Sequence, residues 1–208
     1  MKQELYGTRL HINSTSLEHN ILFLKKTSPA TQIIAMVKAN AYGHGDIAMT
    51  KKMEELGISY FGVADFEEGL RLRDHGIRSS IMVMNPGENN LDTIIKNNLE
   101  PVIYNRSILT SLKRGIHAFK NKNQQSIPIH IKINTGMNRW GFTLTDIPEL
   151  ITFLKKLKGI HIKSIYSHLS SAENSADDIF TQNQINKLNK VKKIFSDNFD
   201  YHIHSHIL

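Results

Sequence analysis

Short apolar segments alternate with helix-like segments along nearly the whole chain of 208 residues. Strands that alternate with helices at this spacing build βα units and a parallel sheet. We therefore predict an α/β fold, a (β/α)8 TIM-type barrel that is incomplete, because about seven strands are present where a closed barrel has eight. After a strand-like lead at 8–13, the predicted strands are residues 33–39, 59–65, 79–85, 101–104, 127–134, 161–168 and 201–208.

Composition limits the function classes. The alternation of strands and helices continues without interruption, so we predict that residues 1–208 form one domain. The net charge of +7 comes mainly from lysines on predicted helix faces, and no nucleic-acid-binding motif accompanies them. No apolar run is long enough for a membrane helix, and the N-terminus has no signal-peptide core. The chain has no cysteine, which is compatible with the cytoplasmic location that we predict.

Lys38 is the unusual residue of the first long strand, Ile-Ile-Ala-Met-Val-Lys-Ala. Lysine is almost never fully buried without a partner. At the C-terminal end of a barrel strand it stands where such folds carry out chemistry. A desolvated lysine has a lowered pKa, and its neutral amine can attack a carbonyl. The alternative is that Lys38 extends from the strand end into water.

The turn after Lys38 favours a chemical role for this lysine over extension into water. Tyr42, Gly43 and Gly45 bring a hydroxyl and backbone amides to a helix predicted to begin at Asp46, an arrangement that suits an anion. An amine nucleophile beside a phosphate site is what pyridoxal 5'-phosphate requires.

Polar side chains recur at later strand ends. By the alternation of a strand, His130, Lys132 and Asn134 share one face of residues 127–134, and Ser164, Tyr166 and His168 share one face of residues 161–168. In a barrel this face points inward. We therefore expect Lys38, Lys132, Asn134 and His168 at the C-terminal mouth. These residues also have interpretations without a functional role. Lys132 could pair with a carboxylate, and Arg139, in the loop after residues 127–134, could be an ordinary loop charge.

Three histidines, His202, His204 and His206, share a face of the last strand. The outer two would lie about 13 Å apart, too far for one tetrahedral zinc ion. We therefore predict no metal site.

Four segments resemble bacterial alanine racemases, in family order. MVKANAYGHG (36–45) is similar to the family's cofactor-lysine motif, and KINTGMNRWGF (132–142) to its second signature. SHLSSAEN (167–174) and RLHINSTSLEHNI (9–21) resemble two further motifs.

The resemblance implies a pyridoxal-phosphate enzyme that interconverts L-alanine and D-alanine for peptidoglycan precursor supply and works as a homodimer. It implies that Lys38 holds the cofactor and exchanges a proton with the substrate. Tyr42 would bond the phosphate and His168 would pack against the pyridine ring. Arg139 would bond the cofactor and the substrate carboxylate. Lys132 matches a lysine that is carbamylated in many members.

This chain departs from the family pattern in two ways. Asn134 stands where Asp is usual, and Trp140 where a smaller residue is usual. The family's C-terminal β domain, which carries a second catalytic tyrosine, has no counterpart in residues 1–208. We therefore expect the cofactor-binding barrel part of a racemase, inactive alone.

Two other function classes remain open. One is a non-catalytic pyridoxal-phosphate-binding barrel concerned with cofactor homeostasis. The other is a related amino-acid racemase or decarboxylase.

Overall fold

The computed structural model describes residues 10–119 and 126–207. The chain divides into two compact units, one up to Ile81 and one from Met82. Seven strands alternate with helices and follow one another in chain order. Every pair of strands with a defined register is parallel. The predicted α/β class and the count of seven strands are confirmed.

The first unit is built from two parallel strands and the helices that follow them. Its apolar core includes Val37, Phe61, Val63 and Leu72, each at most 1% exposed. β1 and β2 pair through Ala35–Phe61 and Met36–Gly62. The elements are α1 (Ser14–Thr27), β1 (Ala35–Met36), the single turn α2 (Lys38–Tyr42), α3 (Asp46–Glu55), β2 (Tyr60–Val63), α4 (Phe66–Asp74) and the start of β3 (Ser80–Val83).

The second unit continues the pattern from β3. Its core is made of branched apolar side chains on the strands, such as Val102, Ile129, Ile131 and Ile162, all fully buried. The elements are α5 (Leu91–Lys96), β4 (Glu100–Ile103), α6 (Arg106–Phe119), β5 (Ile127–Lys132), α7 (Ile147–Lys156), β6 (Ile160–Ser167), α8 (Asp178–Asn198) and β7 (His204–Ile207).

Two strand predictions were wrong. Residues 10–13 of the predicted lead form no strand, and residues 8–9 lie outside the described ranges. Asn13 caps α1, because its side chain accepts the N–H groups of Thr15 and Ser16. β1 ends at Met36, so Lys38 lies beyond the strand.

Within residues 10–119 and 126–207, none of the helices has both the length and the apolar composition needed to cross a bilayer.

Candidate functional site

Lys38 begins a single helical turn of left-handed sense. The four residues that follow it, Ala39, Asn40, Ala41 and Tyr42, have φ between +50° and +55°. None of them is glycine, so each meets a steric penalty of roughly 1–2 kcal/mol in this conformation. Consecutive left-handed residues persist only where the surrounding structure holds them. The backbone at the candidate lysine is therefore strained.

Hydrogen bonds hold the turn at both ends. Ala41 donates its N–H to the carbonyl of Val37 at 2.9 Å, and Val37 itself is buried. The carbonyl of Asn40 accepts the N–H of Gly45 at 2.9 Å, and its side-chain oxygen accepts the N–H of Asp46 at 3.1 Å. Asn is among the residues that tolerate this conformation best.

Lys38 and Tyr42 lie at the two ends of this turn and meet at their side chains. The Lys38 ammonium lies 5.9 Å from the centre of the Tyr42 ring. Lys38 is half-buried, whereas Tyr42 is 60% exposed. The turn thus presents an amine and a phenol side by side at the surface of the first unit.

The free backbone amides that the sequence suggested after Tyr42 are not there. The N–H groups of Gly43, His44 and Gly45 all donate to carbonyls within the turn. At the N-terminus of α3, Ile47 donates its N–H to the Asp46 carboxylate at 2.8 Å, which also pairs with Arg71. The predicted amide cradle for an anion is therefore wrong, because the strained turn uses these donors itself. The phosphate contact expected of the Tyr42 hydroxyl stays a prediction.

In the second unit, Lys132 ends β5 and faces Tyr166 of β6. Lys132 is 4% exposed, and its ammonium lies 5.4 Å from the centre of the Tyr166 ring, within the range of a cation–π contact. Tyr166 is fully buried, and its hydroxyl has no hydrogen-bond partner among the described residues. Burial raises the pKa of Tyr166, and the positive charge of Arg139 opposes this effect. The predicted shared faces are confirmed for His130 and Lys132 of β5 and for Ser164 and Tyr166 of β6, whereas Asn134 and His168 lie beyond these strands.

A buried polar chain continues along the same face. The ring of His130 bonds Glu100 at 3.0 Å through Nε2 and Ser164 at 2.7 Å through Nδ1. Ser164 Oγ lies 3.2 Å from Nε2 of His206, whose ring stacks on Tyr166 with centroids 4.8 Å apart. Burial lowers the pKa of His130, and the Glu100 carboxylate opposes this effect. With neutral imidazoles, Nε2–H of His130 donates to Glu100 and Ser164 donates to Nδ1, which satisfies every group.

Glu100 also has a cationic contact, since Lys163 Nζ lies 2.8 Å from its other oxygen. Burial, with smaller effects from the charges of His130 and His204, lowers the pKa of His206 to about 4. Across residues 10–119 and 126–207, no three His, Cys, Asp or Glu side chains gather as a metal site requires. This layer is a hydrogen-bonded network of ionisable groups.

Arg139 lies in the exposed loop after β5. The side-chain oxygen of Asn134 accepts the N–H groups of Gly136 and Asn138, both at 3.1 Å. Trp140 stacks on Tyr104 with centroids 4.9 Å apart. Asn134 and Trp140 therefore both shape the loop that carries Arg139.

His168 follows the last residue of β6 and is half-buried. Its carbonyl accepts the side-chain N–H of Gln184 at 3.0 Å, and the same amide nitrogen lies 3.2 Å from Thr135 Oγ1. Gln184 is fully buried on α8, and its oxygen accepts the N–H of Ser170 at 3.1 Å. One side chain thus ties the loops after β5 and β6 to the helix.

The predicted residues therefore fall into two sets. The first unit brings Lys38 together with Tyr42. The second brings Lys132 to Tyr166, and the charge of Arg139 also acts on Tyr166. The convergence of Lys38 with Lys132, Asn134 and His168 stays a prediction.

Sequence reasoning missed two polar residues that carry a visible signal. Gln184 interrupts the apolar stripe of α8 that continues through Leu188, Val191 and Phe195. Glu68 stands three residues after the helix cap Asp65, which is the spacing of a capping box.

Comparisons with known proteins agree with these features. Residues 12–205 match the family described as alanine racemase, N-terminal domain. The alanine racemase of Haemophilus influenzae is 37% identical over 88% of this chain and 49% of that protein. An amino-acid racemase of Enterococcus faecalis is 35% identical over 88% of this chain and 25% of that protein. The solved alanine racemase of Acinetobacter baumannii superposes with a TM-score of 0.80 at 26% identity, over 94% of this chain and 52% of that one.

The chain spans about half the length of the alanine racemase relative from Haemophilus influenzae. The family match nevertheless covers nearly all of its residues, from 12 to 205. The motif around Lys38 and the loop that carries Arg139 both lie inside the matched range. This chain belongs to the alanine racemase family, through its N-terminal domain.

Proposed function

We propose that residues 1–208 are the cofactor-binding domain of a pyridoxal 5'-phosphate-dependent alanine racemase, which interconverts L-alanine and D-alanine. The product would supply peptidoglycan precursors in the cytoplasm, and the whole enzyme would be a homodimer. The observation that carries the proposal is Lys38, the half-buried amine on a strained turn inside a chain that matches the family over residues 12–205.

The residues present fit such a cofactor. Lys38 offers an amine on a held backbone, and the exposed Tyr42 offers a hydroxyl beside it. In the second unit, the buried hydroxyl of Tyr166 has no hydrogen-bond partner among the described residues. A buried hydroxyl of this kind is costly unless a bound group satisfies it.

We assign the roles as follows. Lys38 binds the cofactor covalently and exchanges the proton on one side of the substrate Cα. The Tyr42 hydroxyl donates to the phosphate, and the His168 ring packs against the pyridine. Arg139 binds the substrate carboxylate and the cofactor's phenolic oxygen. Carbamylation of Lys132 would replace its cation with an anion that orients Arg139.

The chemistry requires two opposite faces. The bound cofactor supplies an electron sink for the carbanion at Cα. Racemisation then needs a proton donor on each side of that carbon. Lys38 serves one side, and we propose that the remaining half of the enzyme serves the other.

A related amino-acid racemase is the second candidate, since the Enterococcus faecalis relative carries that broader name. It would use the same lysine and cofactor on another amino acid. Measuring racemisation of alanine and serine by the full-length enzyme separates the two candidates.

Labelling tests the assignment of Lys38. We expect that pyridoxal phosphate followed by borohydride reduction modifies Lys38, as read by peptide mapping. Lys38→Ala should lose the label, whereas Lys51→Ala, a change at an exposed lysine of α3, should keep it. Label on another lysine of the unaltered protein would refute the assignment. We also expect residues 1–208 alone to racemise alanine little or not at all, and robust turnover would contradict the need for a second half.

A further inference from the structure

We infer that Glu68 is a positioning residue for Lys38, because its carboxylate holds the peptide that directly follows the lysine. The inference rests on the proposed function in assigning the cofactor to Lys38. No hydrogen bond or ion pair joins Glu68 to the Lys38 side chain. Glu68 acts through the backbone.

Both oxygens of the Glu68 carboxylate are used. Ala39 donates its N–H to Oε1 at 2.6 Å, and Ala64 donates its N–H to Oε2 at 2.7 Å. Hydrogen bonds to an ionised acceptor are shorter and stronger than neutral ones. A single side chain thus bridges the residue after Lys38 and the residue after β2.

This bridge stands where the two strands stop pairing. The backbone bonds between β1 and β2 end with the N–H of Val37 donating to the carbonyl of Gly62 at 2.9 Å. Beyond this point the backbone enters the left-handed turn and can no longer pair with its neighbour. The carboxylate replaces the missing strand contacts and satisfies two N–H groups that would otherwise lose their partners.

Glu68 occupies the position on α4 where a glutamate commonly bonds the helix cap, but its carboxylate bonds elsewhere. Asp65 caps the helix by accepting the N–H of Glu68 at 3.0 Å. In a capping box the third helical residue, here Glu68, returns the bond to the N–H of the cap. Here the carboxylate instead reaches Ala64 and crosses to Ala39. The N-terminus of α4 favours the negative charge that this requires.

The carboxylate of Glu68 therefore affects the direction in which the Lys38 side chain leaves the backbone. The N–H of Ala39 belongs to the same peptide plane as the carbonyl of Lys38. Fixing that plane fixes the backbone from which the lysine side chain leaves, and holds the first of four left-handed residues. A reacting amine must be held close to its productive geometry by supporting bonds of this kind.

The test compares Glu68→Gln with Glu67→Gln. Both remove one carboxylate from the first turn of α4, but Glu67 is exposed. The glutamine at 68 keeps one acceptor oxygen and turns an N–H₂ group toward the other donor. We expect covalent attachment of pyridoxal phosphate at Lys38 to slow by about tenfold or more in Glu68→Gln. Glu67→Gln should attach pyridoxal phosphate at the rate of the unaltered protein. The thermal unfolding midpoint of Glu68→Gln should lie within a few degrees of the midpoint of the unaltered protein.

Attachment at the unaltered rate in Glu68→Gln would overturn the inference and leave the proposed function intact. Glu68→Asp separates charge from reach, because it keeps the anion but is one methylene shorter. We expect it to slow attachment as well, and attachment at the unaltered rate in Glu68→Asp would show that charge alone suffices and overturn the positioning role.

Hydrogen exchange tests the same inference without the cofactor. The Ala39 amide should exchange about tenfold faster in Glu68→Gln than in the unaltered protein, while the Ala48 amide of α3 should not change. Equal exchange at Ala39 would overturn the inference. If the unaltered protein takes no cofactor at Lys38 but Ala39 loses its protection as expected, the proposed function fails and the backbone role of Glu68 stands.

Discussion

The Lys38 turn and the polar layer of β4 to β7, formed by Glu100, His130, Ser164 and His206, carry different energetic costs. At the turn, a half-buried lysine depends on an unfavourable backbone, and its neighbours hold the main chain. In the polar layer the backbone lies in paired parallel strands, and the difficulty lies in burying ionisable side chains such as Glu100 and His130. One region stores conformational strain and the other manages desolvation. Each should therefore respond to a different class of mutation.

Removal of the Glu100 carboxylate, which His130 and Lys163 share, should have the largest effect on stability. Glu100→Ala leaves His130 without its acceptor and Lys163 without its carboxylate. We expect a loss of roughly 3 kcal/mol in the free energy of unfolding, because the buried His130 loses a hydrogen-bond acceptor and Lys163 loses its opposite charge. Chemical denaturation measures it. Glu149→Ala, which breaks an exposed pair with Arg106, is the control and should cost much less. Equal losses would mean that the layer is not specially dependent on its buried anion.

Acidification should weaken the same layer. The pKa of His206 lies at about 4 in the folded protein, below the ordinary value near 6.5 for an unfolded chain. Between these values the unfolded state binds the proton and the folded state does not, so stability falls as pH decreases from about 6.5 to about 4. The loss from this group is roughly 2–3 kcal/mol.

A pH series of unfolding measurements tests this prediction. His206→Asn should flatten the decline over that interval. Ser205→Asn, at the exposed neighbour on β7, should keep the slope of the unaltered protein. An unchanged slope in His206→Asn would assign the acid sensitivity to other groups.

Gln184 should matter less, because its bonds are neutral. Gln184→Leu removes the contacts to His168, Thr135 and Ser170. We expect a loss of roughly 1–2 kcal/mol in stability and faster amide exchange at Ser170. Gln182→Leu, at an exposed position of the same helix, is the matched control. Unchanged exchange at Ser170 would show that Gln184 does not hold the loop.

The smallest effect should appear at the turn and carry the opposite sign. Ala39→Gly relieves a left-handed residue at φ +52°, where glycine has no steric penalty. After the entropic cost of glycine, we expect a gain of roughly 0.5–1 kcal/mol in stability. Ala48→Gly, at an exposed position inside α3, should instead lose about 1 kcal/mol. A loss at both positions would mean that the turn stores little strain.

The sequence predicted much of this structure because its signals are local or periodic. Alternating apolar segments and helices gave the α/β class and seven parallel strands. Side-chain alternation placed His130 and Lys132 on one face of β5, next to Ser164 and Tyr166. The short motifs around Lys38 and Arg139 identified the family that the match over residues 12–205 then showed.

Tertiary structure decided what those signals do not encode. In the sequence, Lys38 and Ala39 look like the end of an apolar strand, because alanine does not indicate a positive φ. The amides after Tyr42 appeared available for an anion, but the turn consumes them. Ala39 lies 29 residues from its partner Glu68, and Thr135 lies 49 residues from Gln184. Such long-range hydrogen bonds depend on how packed elements approach each other, so the sequence determined the chemical groups and the fold determined how they are held.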